Sequence, residues 1–117
     1  MSDGPPEPAD SAALTPAALR ELLDRGAPLD LIDVREPHEW ELVRIPGARL
    51  VPQASWLDGS ALPTLRADRL PVFYCRTGVR TRAVLAAVHE AGFTDAVHLQ
   101  GGVVAWTAET TPGPPGH

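Results

Sequence analysis

The stretch "PVFYCRTGVRTRA", Pro71 to Ala83, contains the one cysteine among 117 residues. Cys75 follows an apolar run and precedes a glycine flanked by Arg76 and Arg80. A loop running from a strand into a helix N-terminus, relaxed by Gly78, can aim the backbone N–H groups of Thr77, Gly78 and Val79 at one point. Each hydrogen bond to a charged acceptor is worth about 1.5–3 kcal/mol. A free thiol has a pKa of about 8.5, and each unit of lowering represents about 1.4 kcal/mol. Two or three such donors, with Arg76 and Arg80, are therefore enough to make Cys75 a thiolate at neutral pH, a nucleophile in a cationic bowl suited to an anionic substrate. A lone cysteine at a strand end is ordinarily a small buried hydrophobe. Two arginines and a glycine at this spacing have no part in that role.

With one cysteine, an internal disulfide, a Cys-x-x-Cys redox pair and a cysteine-rich zinc site are all excluded. Any thiol that resolves an intermediate on Cys75 must come from another molecule. His89, His98 and His117 lack metal-ligand spacing, so neither a metal nor a cofactor is expected. The net charge of −5 and pI near 5.2 argue against nucleic acid or an anionic membrane as partner, since both reward a basic surface. No run approaches the roughly 20 apolar residues of a membrane span, and "MSDGPPEPADS" has neither region of a signal peptide. A soluble, cytoplasmic protein is expected. All ten basic residues are arginine, so any anion site must be built from guanidinium and backbone N–H groups.

The elements that position Cys75 follow from periodicity. Residues 1–11 and 110–117 are Pro/Gly-rich and are expected to be disordered tails around one domain over residues 12–109. Within it, "AAL" (Ala12 to Leu14), "LDLIDV" (Leu29 to Val34), "RLV" (Arg49 to Val51), "PVFYC" (Pro71 to Cys75) and "AVHL" (Ala96 to Leu99) read as strands. Thr15 and Pro16 start a helix with Leu19, Leu22 and Leu23 on one face, and Gly26 stops it. Arg80 to Ala91 forms a second helix, with Val84, Leu85, Val88 and Ala91 on its stripe and a left-handed cap at Gly92 that returns Phe93 onto Val88. A short helix is expected over Val103 to Ala108. Alternation of this kind implies an α/β fold, a parallel sheet with helices on both faces, and such folds bind ligands beyond the carboxyl ends of their strands. Cys75, Asp33 and Arg35 all close strands at that edge.

Four segments, "LIDVREPHEW" from Leu31, "RIPGA" from Arg44, "CRTGVR" from Cys75 and "LQGGVVAW" from Leu99, occur in the order and spacing of the rhodanese family of sulfurtransferases, which the sequence strongly resembles. The resemblance implies a five-stranded parallel sheet flanked by helices. It also implies a Cys75 that cycles through a persulfide, taking sulfane sulfur from a donor such as thiosulfate or a protein persulfide. The acceptor is cyanide, an external thiol or a sulfur-acceptor protein. Phosphatases and arsenate reductases of the same fold have a longer loop for a tetrahedral oxyanion. Here four residues separate Cys75 from Arg80, which suits a single terminal sulfur. The family's mercaptopyruvate-specific members have little charge in this loop, whereas Arg76 and Arg80 suit doubly anionic thiosulfate. A second reading is a persulfide carrier that serves a partner protein, with thiosulfate turnover incidental.

In this scheme Arg76 orients the donor's sulfonate, and Thr77, Gly78 and Val79 supply N–H groups. Arg80 either meets the substrate or ties the loop to a carboxylate, chiefly the second, with Glu39 or Asp33 as partner. Asp33 and Arg35 brace the "REPHEW" turn and share a face. His38 is a solvent-facing turn residue, Arg82 a surface charge, and Trp40 and Trp106 are packing residues. The family's usual Gly-His before Ile-Pro-Gly-Ala is replaced by Val43 and Arg44. Valine does not readily take a positive φ, so a different turn is expected there.

Overall fold

The computed structural model describes residues 12–110. The ends expected to be tails, residues 1–11 and 111–117, lie outside the described residues. Five parallel strands form one sheet in the order β1-β5-β4-β2-β3. They are β1 (Ala13–Leu14), β2 (Leu29–Asp33), β3 (Arg49–Leu50), β4 (Leu70–Tyr74) and β5 (Val97–Leu99). Helix α1 (Pro16–Asp24) follows β1, α2 (Pro37–Leu42) follows β2, and α3 (Gln53–Leu57) follows β3; a 3-10 turn at Leu62–Thr64 leads into β4. Helix α4 (Arg80–Glu90) joins β4 to β5, and α5 (Gly102–Thr110) closes the fold.

The expected strands are all present, each within a residue or two of its predicted ends. Thr15 caps α1 by accepting the Ala18 N–H at 3.1 Å, with Pro16 at the first helical position. At the end of α4, Gly92 takes φ +109° and the Phe93 N–H returns to the Val88 carbonyl at 3.1 Å. Helix α5 runs one residue beyond the expected domain end, to Thr110. Ala91 departs from the expected stripe: it caps α4 and is exposed.

Alternation along the strands divides the core. Ile32, Phe73 and Cys75 pack with Trp56 of α3 and Val84, Leu85 and Val88 of α4. Leu31, Val72, Tyr74 and Leu99 face the other way, against Leu19 of α1 and Val103 of α5. Trp56 and Phe73 meet edge to face at 4.9 Å. Trp106 is half-buried against the α1/α5 cluster. Among the described residues no helix is long and apolar enough to cross a membrane.

Candidate active site

Cys75 is the first residue beyond β4, and its side chain continues that strand's alternation towards α4. It is 1% exposed, covered by the loop Arg76–Val79. The Gly78 N–H donates to Sγ at 3.0 Å. Gly78 has φ +104°, a conformation that places this N–H over the sulfur and that residues with a Cβ seldom adopt. Thr81 Oγ1 stands 4.0 Å from Sγ. Among the described residues, the Thr77 and Val79 N–H groups make no hydrogen bond to the sulfur.

The loop is held from three sides. Arg80 Nη1 and Nη2 bond Glu39 Oε1 and Oε2 at 2.8 and 2.9 Å, so of the two carboxylates expected for Arg80, Glu39 is the partner. Glu39 is presented for this by α2. Pro37 starts that helix, and Glu39 Oε1 also accepts the Glu36 N–H at 3.0 Å. The Arg80 hydrogen bonds above all hold the Glu39 carboxyl well below the usual carboxylate range, at about 2. The same pairing raises the Arg80 pKa, so the bond is between full charges. On a second side, α5 donates the Val103 N–H to the Cys75 carbonyl at 2.9 Å and the Val104 N–H to the Arg76 carbonyl at 3.1 Å. On the third, Thr81 Oγ1 bonds the Gly78 carbonyl at 3.1 Å.

Asp33 and Arg35 reach the same edge of the sheet as Cys75 but not the same face. Asp33 is the register partner of Tyr74, so it points with Tyr74 away from the sulfur, as the pleat requires. Arg35 bonds both Asp33 oxygens, with Nη2–Oδ2 at 2.7 Å. It also donates to the Val43 carbonyl and lies 5.7 Å from the Tyr74 ring centroid. Both side chains are almost fully buried, which places them in the bracing of the β2–α2 turn. Val43 is extended, φ −159°, so this turn does without the positive φ that a glycine would permit.

Arg76 is exposed and borders a groove of about 540 Å³ whose walls include Glu39, Leu42, Val43, Val104 and Thr107. Leu42 is 84% exposed and Val79, at the loop tip, 72%. His38 and Arg82 are exposed, and Arg44 stacks on Trp40 at 4.7 Å.

Three residues of this surrounding were not among the expected site residues. Thr81 lay inside the quoted loop stretch, where a hydroxyl six residues after a cysteine was a usable signal. Gly102, φ +62°, lets α5 approach so closely that a Cβ there would stand 2.5 Å from the Cys75 carbonyl oxygen. His98 is 6% exposed, and its Nδ1 lies 2.8 Å from Thr81 Oγ1.

Comparison with known proteins shows the family of the chain. Residues 15–109 match the family model described as "Rhodanese-like domain". The chain is 49% identical over 112 residues to the probable adenylyltransferase/sulfurtransferase MoeZ of Mycobacterium tuberculosis; the match covers 96% of this chain but only 29% of MoeZ. It is 36% identical over 103 residues to the putative sulfurtransferase YtwF of Bacillus subtilis, covering 85% of this chain and 93% of YtwF. The human single-domain sulfurtransferase TSTD1 superposes with a TM-score of 0.72 at 25% identity, over 86% of this chain and 98% of TSTD1. With its five-stranded parallel sheet and a cysteine loop at the carboxyl end of the central strand, the chain belongs to the rhodanese-like family.

Proposed function

We propose that this chain is a sulfurtransferase that carries sulfane sulfur as a Cys75 persulfide. The observation that supports it most is the Cys75 sulfur at the carboxyl edge of β4, receiving the Gly78 N–H at 3.0 Å under a four-residue loop clamped by the Arg80–Glu39 pair. An N–H that meets sulfur stabilises negative charge on it, whether thiolate or persulfide. With thiosulfate as donor, the Cys75 thiolate attacks the outer sulfur. The S–S bond of thiosulfate breaks, sulfite leaves with the bonding pair, and Cys75 becomes a persulfide anion. In the second half, cyanide or a thiolate attacks the terminal sulfur, and Cys75 leaves as thiolate, with thiocyanate or a new persulfide as product. Arg76, exposed beside the groove, is suited to meet the donor's sulfonate. The four-residue loop favours this chemistry over phosphate or arsenate, which need a wider cradle.

The groove supports a second reading, a persulfide carrier for a partner protein. Leu42, Val43 and Val104 leave apolar surface exposed next to Arg76, more than a small anion such as thiosulfate can use. MoeZ, whose name couples adenylyltransferase with sulfurtransferase, has most of its length outside the match, consistent with sulfur passing between protein parts.

Intact mass, measured before and after thiosulfate and again after cyanide, tests the proposal. A gain of one sulfur atom, lost to cyanide with release of thiocyanate and absent from Cys75→Ser, is expected. Failure of the wild-type protein to gain sulfur from thiosulfate or from any persulfide donor would overturn it. Slow turnover of thiosulfate with fast transfer to a protein thiol would select the carrier reading.

A further inference from the structure

In β5, Leu99 faces α1 and α5, so His98 takes the opposite face, where its register partner is Phe73. Phe73 lies two residues before Cys75 on the same side of β4. An imidazole at 6% exposure in this position is costly to bury unless it is hydrogen-bonded. Its Nδ1 lies 2.8 Å from Thr81 Oγ1, and that oxygen lies 3.1 Å from the Gly78 carbonyl. Gly78 in turn gives its N–H to the Cys75 sulfur at 3.0 Å.

Proton count orders these bonds. A threonine hydroxyl has one proton to donate and two lone pairs, and a carbonyl can only accept. The Thr81 proton goes to the Gly78 carbonyl, an arrangement that Nδ1 of His98 completes as donor to Thr81. With the proton on Nε2 instead, Thr81 would give its proton to Nδ1, and the Gly78 carbonyl would lose its partner.

We infer that His98 is a positioning residue for the chemistry at Cys75: its Nδ1–H orients the Thr81 hydroxyl, which holds Gly78 so that the Gly78 N–H faces the sulfur. This rests on the reading of Cys75 as nucleophile. The bond matters most when the sulfur is anionic, as thiolate or persulfide, because charge-assisted bonds are the stronger and the more sensitive to direction. A protonated His98 keeps its Nδ1–H, so the brace survives in both charge states of the ring.

Nitrogen-15 shifts of His98 above neutral pH test the proton count directly. An Nδ1 of the protonated type is expected, and an unprotonated Nδ1 would overturn the inference. Variants test the consequence. His98→Asn keeps a hydrogen-bonding atom near the Nδ1 position, and His98→Leu removes it. The Leu variant should raise the pKa at which the Cys75 thiolate absorbance appears and lower kcat for sulfur transfer roughly fivefold to tenfold, with KM for the donor little changed. The Asn variant should stay within about twofold of wild type. A Leu variant that titrates and turns over like wild type would sink the idea. Should the Leu variant fail to fold, Asn against Gln decides, because Gln places its polar atoms nearer to the Nε2 position: wild-type behaviour of Asn with a defective Gln supports the brace, and equal behaviour removes it. Thiolate titration needs no sulfur donor. A wild-type protein that never gains sulfur, with a His98→Leu variant that still shifts the titration, would defeat the proposed function and leave the brace standing.

Discussion

Arg80 and Glu39, 41 residues apart in the chain, meet in a two-pronged ion pair of 2.8 and 2.9 Å that fastens the cysteine loop to α2. The guanidinium is occupied by this pair, so under the proposed function Arg80 would act through the loop's shape. Arg80→Lys keeps the charge but loses the fork. Sulfur transfer should fall roughly 10–100-fold, mainly in kcat. Removing both partners should cost less than the sum of the single losses, and steady-state kinetics on Arg80→Met, Glu39→Gln and the double variant measure that coupling. Additive effects would mean that the pair does not act as a unit.

The same pair gives the protein an acid-labile share of its stability. Glu39 has its pKa lowered from 4.5 to about 2, first by the Arg80 hydrogen bonds. A folded-state pKa below the unfolded one stabilises the fold fully above the unfolded value and loses that contribution as pH falls through the folded value. Urea unfolding of wild type and Glu39→Gln should therefore differ by about 1–2 kcal/mol at neutral pH, after allowance for solvent screening of a partly exposed pair. That difference should shrink between about pH 4.5 and about pH 2 and vanish below it. A difference that is constant with pH would locate the effect outside this carboxylate.

Arg76 is the contrasting arginine. It is exposed beside the groove, and Arg76→Ala should raise KM for thiosulfate roughly tenfold, the scale of one charge-assisted contact. Its unfolding free energy should stay within about 0.5 kcal/mol of wild type. Unchanged KM together with lower stability would reverse the roles given to Arg76 and Arg80.

Gly102 lets α5 come close enough to hydrogen-bond the loop carbonyls. A Cβ at that position, φ +62°, would stand 2.5 Å from the Cys75 oxygen and closer still to that of Arg76. Gly102→Ala should destabilise the fold by roughly 2–4 kcal/mol through backbone strain and overpacking. It should also slow transfer, since the displaced atoms belong to the loop. Gly47, with φ +90° and open space around its Cβ position, is the control: Gly47→Ala should cost stability through φ alone and leave transfer intact. Thermal melts and cyanolysis rates on both variants separate the two effects.

The strands, α1, α4 and the position of Cys75 beyond β4 were legible from the chain because their signals are local. Thr15 and Pro16 mark a helix start within a few residues, and "PVFYC" bounded by turn residues marks a buried strand. The cysteine with its flanking arginines and glycine is likewise a contiguous motif. Helix α2 was read as a turn although Pro37 and Glu39 stand at its start in a helix-opening arrangement, because six residues are too few for periodicity to register. Helix α3 and the 3-10 turn at Leu62–Thr64 were missed for the same reason.

By itself the sequence pointed to a nucleophilic cysteine, through the residue types packed into one loop, and determined the α/β class, through the period of its apolar residues. Tertiary structure decided which groups meet that loop. Asp33 and Cys75 were expected at one edge of the sheet and share it, but the pleat turns their side chains to opposite faces, a matter of strand register. The choice of Glu39 for Arg80, the approach of Gly102 to the Cys75 carbonyl and the line from His98 through Thr81 to Gly78 join residues from separate elements. Such contacts depend on how the elements pack in three dimensions, and no spacing along the chain encodes that distance.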